Sequence, residues 1–119
     1  MVKTDRVGID VYNTSFLVIR YDSNKNLKRW LRRNFKKINL PSVKYFNALA
    51  CSIENDYLIM FKTTQEESIK YPTPGIVAHE AKHLVNYIFK DRFVELDLEN
   101  DEPEAYLLGF IVDKIHALL

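Results

Sequence analysis

The chain has 119 residues, enough for one domain with a buried core and too few for two ordinary ones. Its 47% hydrophobic and 13% aromatic content excludes a disordered chain, and its single cysteine, Cys51, excludes an intramolecular disulfide. A net charge of +1 selects no polyanionic or polycationic partner in bulk. No basic-then-apolar leader is read at Met1–Arg6, and no apolar run nears the roughly 20 residues of a membrane span. A soluble protein of the cytoplasm, without a membrane partner, is therefore expected.

Val7–Tyr12 and Ser15–Tyr21 are rich in β-branched and aromatic residues and read as two strands joined at Asn13-Thr14. Asp22-Ser23-Asn24 offers caps for a helix over 24–37, where Leu27, Trp30, Leu31 and Phe35 form one apolar stripe. Lys25, Lys28, Arg29, Arg32, Arg33, Lys36 and Lys37 belong to the same segment, with no acid among them. After the break at Pro41 come two further strands, 45–53 and 57–63, joined at Glu54-Asn55-Asp56. Thr73-Pro74 starts a helix that runs to about Lys90, since threonine caps and proline fits a first turn that needs no N–H there. Asp101 is expected to cap a last helix over 102–118, with Pro103 in its first turn. The order β-β-α-β-β-α-α predicts a single α+β domain over 1–119, a small antiparallel or mixed sheet carrying helices.

The chemistry concentrates in His79-Glu80-Ala81-Lys82-His83. Residues four apart on a helix return to within roughly 40° of each other, so His79 and His83 aim two neutral nitrogen ligands at one ion. Glu80 projects beside that ion as a base for a bound water, which is the physical content of HExxH. Catalytic Zn²⁺ takes a third protein ligand and leaves one position open. Glu102, opening the next helix and sharing a face with Tyr106, is preferred for it over Glu104, while a first-turn carboxylate on the helix dipole is its bland alternative. His116 lies about 21 Å along the same helix from Glu102, too far to share an ion.

HExxH followed by a glutamate that opens a helix as Glu-x-x-Ala resembles the gluzincin branch of zincin-like metallopeptidases, which includes thermolysin and metallo-aminopeptidases. The Glu-x-x-Ala-Tyr-Leu-Leu-Gly helix also resembles small HExxH proteins encoded by bacteriophages. The resemblance spans about residues 74–119. It implies a zinc metallopeptidase acting on a peptide or protein substrate. His79, His83 and Glu102 would be ligands, Glu80 general base and acid, and Tyr106 or Tyr87 a stabiliser of the oxyanion. The strand 57–63 would be the sheet edge that aligns an extended peptide. The aminopeptidase substrate-recognition glutamate motif and thermolysin's helical lobe are missing. The alternative is a non-catalytic virion or assembly protein with a structural or vestigial metal, located in host cytoplasm or virion and able to form homo-oligomers.

Two further features have bland readings. The basic helix is expected to be a solvated face, with no base-reading motif for nucleic acid; docking on the acidic 91–104 stretch of a neighbouring subunit is its other use. Cys51 is expected in the core.

Overall fold

The computed structural model describes residues 1–36, 40–63 and 72–119. Strands β1 (Val2–Ile9), β2 (Thr14–Tyr21), β3 (Ala48–Ile53) and β4 (Asp56–Lys62) form one mixed sheet in the order β1-β2-β4-β3. β1 and β2 are antiparallel, as are β3 and β4, and β2 and β4 run parallel at the centre. A parallel contact needs a crossover. Helix α1 (Asn24–Asn34) lies in that crossover, between β2 and the β3–β4 pair. Helices α2 (Pro74–Asp91) and α3 (Glu102–Leu118) complete an α+β fold.

Alternation along the strands sorts the core into two halves, because successive side chains face opposite sides of a sheet. Phe16, Val18, Ala50, Ile59 and Phe61 face α2 and α3, while Ile19, Tyr21, Leu58 and Met60 face Leu27 and Leu31 of α1. The sheet is thus covered on both sides. Tyr57-Leu58-Ile59-Met60-Phe61 is an unbroken buried run for that reason, as central strands between two helical layers are.

The starts of α1 and α2 carry the expected capping chemistry, whereas Asp101 at the start of α3 makes no side-chain cap hydrogen bond. The Ser23 hydroxyl accepts from Asn26 N–H at α1, and Thr73 accepts from Ile76 N–H at α2, with Pro74 in its first turn. Strand bounds differ more. β1 begins at Val2, because Lys3–Arg6 pair along β2 despite their polarity, and it ends at Ile9 in a short 3₁₀ turn, Asp10–Tyr12. Asn13 closes that turn with φ 49°, a left-handed conformation that asparagine tolerates. Val43–Tyr45 is also 3₁₀, so β3 is shorter than the expected 45–53. The end of the expected first helix, Lys37, lies outside the described residues.

One expectation is overturned. The strand at 57–63 was to be the exposed sheet edge, but β4 is flanked by β2 and β3, and both its edges are used. Its continuous apolar run marks an interior strand; the edge beside α2 is β3.

Candidate metal centre

Helix α2 positions the motif by burying one side and leaving the other in water. Val77, Ala81, Leu84, Val85, Ile88 and Phe89 are buried against the sheet and α3. His79 and His83 fall on the opposite side, and the His79 side chain is 68% exposed. Their rings stand edge to face with centroids 4.8 Å apart, and the two Nε2 atoms are separated by 3.2 Å. In one tautomer this contact is a hydrogen bond. With both protons on Nδ1 the two lone pairs repel each other, and a cation shared by the two nitrogens would remove that repulsion. Two nitrogens about 2.0–2.1 Å from a tetrahedral zinc lie about 3.3 Å apart, so the spacing fits a shared ion.

Glu80 turns from water into the protein and is only 8% exposed. Its Oε2 accepts a 2.7 Å hydrogen bond from the Ala50 N–H of β3. That N–H lies on the β3 edge of the sheet, where no strand among the described residues meets it, so the carboxylate satisfies an edge donor. Oε1 is left 3.9 Å from His79 Nε2. One carboxylate oxygen is therefore anchored and the other faces the imidazoles.

Cys51, the next residue on β3, is partly buried among the side chains beneath α1. Burial, and secondarily the charge of Glu80, push its thiol up to about 12. A protonated thiol is a poor nucleophile and a poor metal ligand, so the expected core role suits it.

The first turn of α3 is arranged differently. Leu107, Ile111 and Ile115 form its buried stripe, and Glu104 extends that stripe toward α2, where it pairs with Lys82. Glu102 and Tyr106 share a face, as their spacing requires, but both are exposed and lie roughly 160° around the helix from Glu104. Tyr106 lines a hollow with Gly8–Tyr12 and Phe110 that contains none of the HExxH residues. Among the described residues no three His, Cys, Asp or Glu side chains gather as a metal site. The structure brings His79, His83 and Glu80 together and leaves Glu102 and Tyr106 apart from them. His116 is exposed in the last turn of α3. Comparison with protein-family models, curated proteins and solved structures finds no match to this chain.

Two contributors escaped the sequence. The Ala50 N–H is a backbone group whose role depends on which strand forms the edge. Lys82 occupies a variable position of HExxH, and only the roll of α3 gives it Glu104 as partner.

Proposed function

We propose that this chain is a zinc-dependent peptide hydrolase in which His79 and His83 hold the ion, Glu102 completes the ligand set and Glu80 moves the proton. The observation behind this reading is the 3.2 Å Nε2–Nε2 spacing with Glu80 Oε1 at its flank. Zinc, when bound, acidifies a water toward a pKa of about 7 and polarises a carbonyl. Glu80 is suited to the proton's path, because Oε2 is tied to Ala50 and Oε1 is the atom free to accept a proton and return it to a leaving amine. The β3 edge lies beside the motif and suits an extended peptide, which adds to a sheet through main-chain hydrogen bonds.

Glu102 is assigned as the third donor because it carries no ion pair among the described residues, whereas Lys82 already neutralises Glu104. Tyr106 is given no step in this reading. The alternative, a non-catalytic assembly protein with a structural metal, is favoured by one observation: the Glu80–Ala50 bond also serves as a strut between α2 and β3.

Metal analysis of the purified chain beside His83→Ala tests the ion. About one zinc per native chain and none in the variant is expected; no metal in either removes the proposal. Glu80→Gln tests the chemistry. It is expected to keep the zinc and lose peptide hydrolysis by about 10²–10⁴-fold, and a zinc-loaded variant of native activity removes Glu80 from the proton's path.

A further inference from the structure

The fold sends the two charged segments of the chain to opposite sides of the sheet. On one side, α1 presents Lys25, Lys28, Arg29, Arg32 and Arg33, all exposed and none in an ion pair among the described residues. These positions recur at i, i+3, i+4, i+7 and i+8, a single helical stripe of like charge. Such a stripe weakens its own helix, and the first turn of α1 contains no acid to suit the helix dipole. On the other side, the 92–101 loop between α2 and α3 exposes Glu95, Asp97, Glu99 and Asp101.

The acidic loop also carries apolar side chains in water: Phe93 is 94% exposed and Leu98 99%. Phe93 is the more telling. It closes α2 in a Schellman turn, with Phe93 N–H bonded to Lys90 O and Val94 N–H to Phe89 O, and its φ is 57°. Glycine is the usual occupant of that left-handed position, and a bulky aromatic there is strained. The chain holds a phenylalanine in an unfavourable conformation and leaves its ring unburied. Across the molecule, beside the basic stripe, the described residues leave a hollow of about 420 Å³ with Leu31, Leu40 and Val43 in its wall and Lys28, Arg32 and Lys44 among its lining.

We infer that the occupant of this basic, apolar hollow is the acidic, apolar 93–99 loop of a second copy of the chain. Each surface has what the other lacks in charge, and both combine it with apolar surface, which a polyphosphate backbone alone does not use. The two surfaces lie on opposite sides of the sheet, so one contact leaves a free patch of each sign. The association is head to tail, growing into chains or a ring. A net charge of +1 adds little general repulsion against it.

Sedimentation of the full-length chain across protein concentration tests this. At about 0.01 M salt, where screening reaches about 30 Å, the weight-average mass is expected to rise to at least about twice the monomer's, and to return to the monomer near 1 M. Arg29→Glu/Arg32→Glu and Glu95→Lys/Glu99→Lys are each expected to be monomeric alone and to reassociate when mixed, because each then supplies the sign the other has lost. Phe93→Gly is expected to melt no lower than the native chain while its association weakens by at least about tenfold, since glycine removes the strain and the anchor together. A native chain that stays monomeric at low salt and millimolar concentration overturns the inference. So does association that survives both charge variants, or a monomer that retards a DNA duplex until Arg29 and Arg32 are reversed.

Discussion

The motif turn of α2 and the first turn of α3 belong to the same helical layer and came to their geometry by different routes. The imidazoles of His79 and His83 meet because residues four apart on one helix share a face, and their 3.2 Å spacing needs only α2 and the rotamers of its own two side chains. Glu102 and Glu104 are placed by how α3 rolls on its neighbour, which Leu107, Ile111 and Ile115 decide by burying one stripe. The lesson is that a pair of ligands within one helix is a property of spacing, whereas a third ligand from another helix is a property of packing. The two turns therefore respond to different changes.

The largest separation between them comes from the core. Leu84 is fully buried on the inner side of α2, one residue beyond His83. Leu84→Ala is expected to cost about 2–5 kcal/mol in urea unfolding, since it leaves a cavity beneath the helix. The molecules still folded keep the His pair, because no packing contact sets its spacing. A variant that folds fully yet loses zinc outright breaks this half of the comparison.

Next in size is the third ligand. Glu102→Gln is expected to lower zinc affinity by at least about 100-fold, beyond what an outer partner of a ligand costs, and Glu104→Gln by less than about tenfold. Competition with a chromophoric chelator measures both. The reverse order moves the ligand to the carboxylate that the resting fold already holds against α2.

Glu80 bridges the two kinds of placement, since the helix supplies its position and the β3 edge supplies its partner. Glu80→Ala is expected to cost about 1–3 kcal/mol by orphaning the Ala50 N–H, and Glu80→Gln to recover most of it through an amide oxygen that still accepts. Equal stability of all three chains removes the strut.

These differences mark how far the sequence could be read. The α+β class and element order followed from the β-branched and aromatic run of Phe16–Tyr21, the helical stripe of Leu27 and Leu31, and the caps at Ser23 and Thr73, all of them local signals. The HExxH turn was legible for the same reason. The edge strand was missed: the apolar run Tyr57–Phe61 is the local mark of an interior strand, but which strand is left at the edge follows from the parallel pairing of β4 with β2. Spacing also showed that Glu102 and Tyr106 share a face of α3. Which face α3 turns toward α2 is a matter of the Leu107–Ile111–Ile115 stripe, and Glu104 lies on its extension.

The smallest effect is the most discriminating. Lys82 and Glu104 form a partly exposed pair, so Lys82→Ala is expected to change stability by no more than about 1 kcal/mol. Its consequence for the metal is larger in principle, because it releases a carboxylate next to the motif. In the Glu102→Gln background, Lys82→Ala is expected to restore zinc affinity at least about tenfold, as the freed Glu104 takes the vacant role; a neutral partner no longer competes for its oxygens. Calorimetric titration with zinc reads this directly. If affinity stays flat, Glu104 does not reach the imidazoles even when unpaired, and facing α2 is not enough to make a carboxylate of α3 the third ligand.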